Sequence, residues 1–219
     1  MKDIKAVIFD MDGVLIDSEP CYLQFNLDFA LTKNPRVTID QLYGMVGASK
    51  EDAWTVFAQA IDNGQTWEEL RDEYRASIDA FSQMDYRAIF RHEAVDVLKL
   101  LKERGYPLAL ASSTQTDIIM RVLNENDIAC YFDLVVSGRQ FKQSKPNPEI
   151  YFYTAGKLKV SPAECLVIED STLGITAASR AGMTVAALID DRFGFDRSLA
   201  HYEIRNLGEI PGLPPLSLN

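Results

Sequence analysis

Short apolar runs rich in β-branched residues, separated by stretches with helical periodicity, constrain this chain more than any other feature. The runs are "KAVIF" near the N-terminus, "YPLALAS" (106–112), "FDLVVS" (132–137), "ECLVIED" (164–170) and "MTVAALI" (183–189). Their length and unbroken apolar character mark strands buried on both faces, the habit of parallel sheets. Between them, "EAVDVLKLLKERG" repeats its apolar residues at Ala94, Leu98 and Leu101 and stops at Gly105. A glycine there is a common helix terminator. "STLGITAASRAG" places Gly174, Ala178 and Ala181 on one side and ends at Gly182, so this helix can lie close to a sheet. The alternation predicts an α/β fold, a doubly wound parallel sheet with right-handed crossovers.

Residues 18–88 break the pattern, with helical periodicity and no convincing strand. Ser18 and Pro20 open one helix; Leu23, Leu27 and Ala30 lie on one face, Tyr22, Phe25 and Phe29 on another. Ser49 with Asp52, and Thr66 with Glu69, are capping pairs ahead of two more amphipathic stretches, the second running from Trp67 to Phe81. A helical unit over 18–88 is therefore expected, inserted into a core formed by 1–17 and 89–219. Its hinges are expected near Val14 to Ser18 and Ala88 to Glu93.

Composition narrows the partners. A net charge of −10 repels nucleic acid and anionic membranes, so a phosphorylated ligand needs a local positive site. No apolar run reaches the roughly 18 residues of a membrane span, and the N-terminal apolar stretch is too short for a signal peptide, so a cytoplasmic protein is expected. Cys21, Cys130 and Cys165 are an odd number without paired spacing, which predicts buried or half-buried thiols rather than a disulfide or zinc framework.

In open parallel sheets ligands bind at the carboxyl ends of strands. The first run delivers Asp10 and Asp12, the second Ser112, Ser113 and Thr114, and the fourth Glu169 and Asp170; Lys145 stands in "QSKPNPE" after the third. Asp10 and Asp170 could share a hard divalent ion such as Mg2+, which would relieve their repulsion. One of the paired aspartates could attack phosphorus while the other handles a proton. Lys145 would neutralise phosphoryl charge, and Ser112 with the N–H groups of Ser113 and Thr114 would cradle phosphate oxygens. Each residue alone has a duller role as a cap or loop residue; their joint occurrence at strand ends is what points to chemistry.

"DMDGVLIDSE", "LASST", "SKPNPEIY" and "VIEDSTLGITAASRAGM" together resemble the four motifs of the haloacid dehalogenase-like hydrolases, in the branch of phosphatases and phosphoglucomutase-like enzymes. The resemblance implies a Rossmann-like core with an inserted α-helical cap domain, Mg2+ dependence and an aspartyl-phosphate intermediate. By position it makes Asp10 the nucleophile, and Asp12 the general acid and base whose carbonyl also ligates the metal. Ser112 and Lys145 hold the phosphoryl group, Asp170 completes the metal site, and Glu169 stands beside it. In the cap, Tyr22 and Lys50 are the candidate substrate contacts. β-Phosphoglucomutase-like sequences carry a histidine near the place of Cys21 and Tyr22, an arginine at Lys50, and often Pro-Gly where this chain has His92-Glu93.

The expected activity is hydrolysis of a small phosphate monoester, a sugar or polyol phosphate, by a monomer or small homo-oligomer. A sugar phosphomutase is the alternative. Phosphonatase, a phospho-accepting regulator and a non-turning-over binding protein rank lower, because Asp12 is present, the chain is long and every core position is filled.

Overall fold

The computed structural model describes residues 3–216 apart from the Lys50 side chain. The chain forms two compact units, one from Met1–Asp17 with Tyr86–Asn219 and one from Ser18–Asp85. In chain order the elements are β1 (Ala6–Phe9), α1 (Glu19–Lys33), α2 (Lys50–Ile61), α3 (Trp67–Ser77), α4 (Ala80–Gln83), α5 (Glu93–Glu103), β2 (Leu108–Ser112), α6 (Thr116–Glu125), β3 (Leu134–Ser137), α7 (Glu149–Leu158), β4 (Cys165–Glu169), α8 (Thr172–Arg180), β5 (Thr184–Leu188) and β6 (Tyr202–Ile204).

The strands form one parallel sheet in the order β3-β2-β1-β4-β5-β6, a Rossmann-like doubly wound arrangement flanked by helices. Strand order reverses between β1 and β4, so a crevice is expected where their carboxyl ends diverge. Every residue of β1 has zero exposure, and Ile8 sits in register with Ala109 on one side and Val167 on the other. Tyr151 and Ala155 of α7, and Ile175 and Ala178 of α8, cover the sheet face that carries Ala6 and Ile8.

Strand β6 has no counterpart among the runs read from sequence. It is only "YEI", half-buried, exposed, then buried, at the sheet's edge, so it lacks the unbroken apolar signature. His201 anchors it: its N–H donates to Val185 O (2.8 Å) and its Nδ1 accepts from Val185 N (3.2 Å). All three cysteines are free; Cys165 is buried and Cys21 half-buried. Cys130 departs from the expected burial, being exposed in a 3₁₀ turn over Ala129–Tyr131.

In the Ser18–Asp85 unit, Thr66 and Glu69 complete a reciprocal capping box, Glu69 N donating to Thr66 Oγ1 (3.3 Å) and Thr66 N to Glu69 Oε2 (2.8 Å). The helix it opens stops at Ser77, short of Phe81. Ile78 is extended, and the Asp79 carboxylate accepts from Ser82 N (3.2 Å) to cap α4. An aspartate that can cap a new turn competes with continuation of the old one. Phe29, Trp54, Phe57 and Tyr74 tie α1, α2 and α3 together, with neighbouring ring centroids 5.2–6.1 Å apart.

The chain leaves and re-enters the core unit through one stem. Ile16 bridges Phe90 in antiparallel fashion, Asp17 N donates to Ile89 O (2.8 Å) and Arg91 N to Leu15 O (2.9 Å). Arg192 braces it, donating to both Asp17 oxygens (3.0 and 2.6 Å) and to Asp190. Tyr86 already belongs to the core unit, buried beneath the Arg121 guanidinium at 4.9 Å. No helix among the described residues is long and apolar enough to cross a membrane.

Truncating Ile8 empties the centre of the sheet. Ile8→Ala should cost about 2–5 kcal/mol in urea unfolding. Leu199→Ala, at a side chain 47% exposed, should stay within about 0.5 kcal/mol. Equal losses would contradict this assignment of the core.

Candidate active site

The crevice between β1 and β4 gathers acids because both strands end in them. Phe9 pairs with Ile168, and Asp10 N extends the ladder to Ile168 O (3.0 Å), so Asp10 emerges beside Glu169. Asp10, Glu169 and Asp170 are all buried, and each offers an oxygen within 4.8 Å of the others. After Asp10 the chain turns sharply: Gly13 has φ +75°, and a Cβ there would stand 2.0 Å from Asp170 Oδ2. Only glycine both adopts that backbone and leaves room for the carboxylate.

Lys145 enters from the loop between β3 and α7. Its Nζ donates to Asp10 Oδ1 (2.9 Å), Glu169 Oε1 (2.6 Å) and Ala111 O (3.1 Å). Burial alone would lower this ammonium, but the Asp10 and Glu169 carboxylates hold it well above the ordinary lysine value. Burial pushes the Asp10 carboxyl up to about 7; Lys145 works against the rise, and Glu169 and Asp12 add to it. Asp10 Oδ2 accepts no hydrogen bond among the described residues.

Glu169, with zero exposure, is saturated. Its Oε1 accepts from Lys145 and from the Tyr151 hydroxyl (2.8 Å), and its Oε2 from Asp170 N (3.1 Å), Ser171 N (3.4 Å) and Ser171 Oγ (3.2 Å). The carboxylate occupies the space where a side chain on Gly174 would be, since a Cβ there would lie 1.8–2.1 Å from its atoms. The close approach expected of α8 is thus spent on admitting this acid.

Asp12 stands apart from the three clustered carboxylates. Its Oδ2 accepts from Thr114 Oγ1 (2.8 Å). Ser112 ends β2, and its Oγ accepts from Thr114 N (3.0 Å), so that N–H is already committed rather than open to a phosphate. Helix α6 starts only at Thr116, leaving Ser113 exposed in the preceding turn, its N–H without a partner among the described residues. Tyr22 and Lys50 belong to the Ser18–Asp85 unit; the Lys50 side chain lies outside the described residues.

One unit thus brings together Asp10, Asp12, Ser112, Ser113, Thr114, Lys145, Glu169 and Asp170. Three clustered carboxylates against one ammonium leave an excess of buried negative charge, and every donor is a hard oxygen. Both features suit a small divalent cation. Tyr151 and Ser137 are partners the sequence did not reveal; Ser137 Oγ donates to Thr114 O (2.6 Å) and steadies the turn after β2. Tyr151 stands in "SKPNPEIY" but reads as an ordinary core aromatic, because only its hydroxyl reaches the acids.

Two glycines give opposite expectations. Gly174→Ala should lower the melting temperature, since the new methyl must displace Glu169. Gly156→Ala, in a helix with nothing within 4 Å of the added Cβ, should raise stability by about 0.4–1 kcal/mol. Shifts of the same sign would refute the crowding at Glu169. Tyr151→Phe, which deprives a buried carboxylate of a donor, should cost about 1.5–3 kcal/mol by the same measurement.

A family model described as haloacid dehalogenase-like hydrolase matches residues 7–188. A phosphorylated carbohydrates phosphatase of Thermotoga maritima is 33% identical over 181 residues, 82% of this chain and 82% of the relative. Hexitol phosphatase B of Escherichia coli is 31% identical over 186 residues, 83% of this chain and 82% of the relative. The crystal structure of β-phosphoglucomutase from Clostridium difficile shares the fold, with a TM-score of 0.71 over 94% of this chain and 93% of that one at 21% identity. With its acids, lysine and hydroxyls gathered at the strand ends of such a sheet, the chain belongs to the haloacid dehalogenase-like hydrolases.

Proposed function

We propose that the protein is a Mg2+-dependent phosphatase that hydrolyses a small phosphate monoester, a sugar or polyol phosphate, through an aspartyl phosphate on Asp10. The observation that carries this reading is the state of Asp10: buried, one oxygen held by Lys145, the other without a partner among the described residues. Such a carboxylate is fixed in place yet keeps a lone pair for attack.

Asp10 Oδ2 forms a bond to phosphorus as the ester oxygen leaves, and Asp12 gives that oxygen a proton. In the second half Asp12 takes a proton from water, which attacks phosphorus and frees Asp10. The Thr114 hydroxyl donates to Asp12 Oδ2 at 2.8 Å and so orients this carboxyl group. The Ser112 hydroxyl and the Ser113 N–H hold the phosphoryl oxygens, while Lys145, its three N–H groups engaged by Asp10, Glu169 and Ala111 O, acts on them through its charge. Asp10, Asp170 and the Asp12 carbonyl are the groups that would hold Mg2+, which when bound neutralises charge on those oxygens. Glu169, with both oxygens engaged, acts on Lys145 and on the Asp170 backbone.

Water rather than a second sugar hydroxyl is the favoured acceptor. The relatives at 31–33% identity bear phosphatase names, and the place near Tyr22 lacks the histidine of β-phosphoglucomutase-like sequences.

Phosphate release from a panel of phosphorylated metabolites tests the scheme. Asp10→Asn should reduce release to background, Asp12→Asn should lower kcat by roughly 10²–10⁴, and a chelator should stop turnover until Mg2+ is restored. Undiminished release by Asp10→Asn would falsify the mechanism. Glucose 1-phosphate with a bisphosphate primer should give no glucose 6-phosphate; its formation would show a mutase.

A further inference from the structure

Glu169 Oε1 is shared by two donors, the Lys145 ammonium at 2.6 Å and the Tyr151 hydroxyl at 2.8 Å. Those two bonds fill the lone-pair positions of that oxygen. The other oxygen is pinned by Asp170 N, Ser171 N and Ser171 Oγ, and the carboxylate stands in the space that a Cβ on Gly174 would need. Glu169 cannot turn, so any change at Oε1 falls on its two donors rather than on the acid.

The donors differ in freedom. Tyr151 has zero exposure on α7, in the same core cluster as Ile150, Ala155 and Ile175. Burial, and then Glu169, hold its hydroxyl well above the usual phenol value, so it remains a neutral donor. Lys145 ends a flexible stem, with Nζ 5.2 Å from the centre of the Tyr151 ring. Its ammonium divides itself among Glu169 Oε1, Asp10 Oδ1 at 2.9 Å and Ala111 O at 3.1 Å, and the shortest of the three bonds goes to Glu169.

A phenylalanine would fill the same core space, so packing alone does not call for the hydroxyl. The hydroxyl takes up part of the Glu169 charge that would otherwise act on the ammonium alone. Without it Oε1 keeps a buried lone pair with no donor, and Lys145 is the mobile group able to move toward it, at the expense of Asp10. We propose that Tyr151 is a positioning residue, whose hydroxyl offsets the pull of Glu169 and so keeps the Lys145 ammonium on Asp10 Oδ1. The proposal rests on the phosphatase reading above and adds to it a residue that acts only through Glu169 and Lys145.

With Mg2+ present and the phosphorylated metabolite that is hydrolysed fastest, Tyr151→Phe should lower kcat about tenfold and leave KM within about twofold. Leu207→Ala, which empties fully buried space outside this network, should lower the melting temperature and leave both constants unchanged. A second measurement needs neither metal nor turnover. In protein isotopically labelled at the lysine amino nitrogens, the ammonium signal that disappears in Lys145→Arg should shift in Tyr151→Phe and stay in place in Leu207→Ala. A kcat for Tyr151→Phe within about twofold of the unmodified protein's overturns the inference. An ammonium signal that the loss of the hydroxyl leaves unmoved overturns it too. Failure of the phosphatase reading has a different signature: no phosphate released from any ester by the unmodified protein, with the Lys145 signal still shifting, keeps the positioning and overturns the hydrolysis.

Discussion

A buried ammonium shared between two acids organises this molecule. Lys145 spans Asp10 and Glu169 at 2.9 and 2.6 Å, joining the ends of β1 and β4 to the loop before α7. Taking these ions out of water is expensive, and their mutual attraction offsets it only where every remaining donor and acceptor is matched. Glu169 meets that condition fully, with Tyr151, Ser171 and the Asp170 N–H around it. Asp10 meets it halfway. The network therefore contributes little to stability for its size, but it fixes which carboxylate is locked and which keeps a reactive oxygen.

The surrounding architecture follows from housing that network. Strand order reverses between β1 and β4, so both strands end at one crevice with their acids adjacent. Two of the positions against the carboxylates have no room for a side chain. Gly13 and Gly174 stand where a Cβ would strike Asp170 and Glu169, so the smallest side chains border the most charged ones.

Much of this was legible in the sequence, for a physical reason. Strands buried on both faces leave an unbroken apolar signature, and the residue that ends such a run must sit at the sheet's rim. Asp10, Glu169 and Asp170 were therefore placed by punctuation, whereas Lys145 lies in the loop beyond the third run and was placed by its motif. What escaped lacked punctuation. The residues of β6 alternate in burial at an edge, so they look like loop. Asp79 interrupts a helix whose apolar spacing continues to Phe81, because a local capping bond outweighs periodicity. Tyr151 sits on the core face of α7, and its hydroxyl acts across the network where no sequence spacing reveals it. The Thr114 N–H, expected to face a phosphate, is instead consumed by Ser112 one residue pair away.

The stem formed by Ile16 with Phe90 and by Asp17 with Ile89, braced by Arg192, has a further meaning. The inserted segment begins and ends at neighbouring points on one small two-stranded joint. Chain entering there is paired with chain leaving, so the entropic cost of closing the loop grows only slowly with the number of intervening residues. The sheet would tolerate a longer, shorter or wholly different insert at that port without rethreading a single strand. The inserted unit can thus be exchanged as a cassette while the acids at the crevice stay untouched.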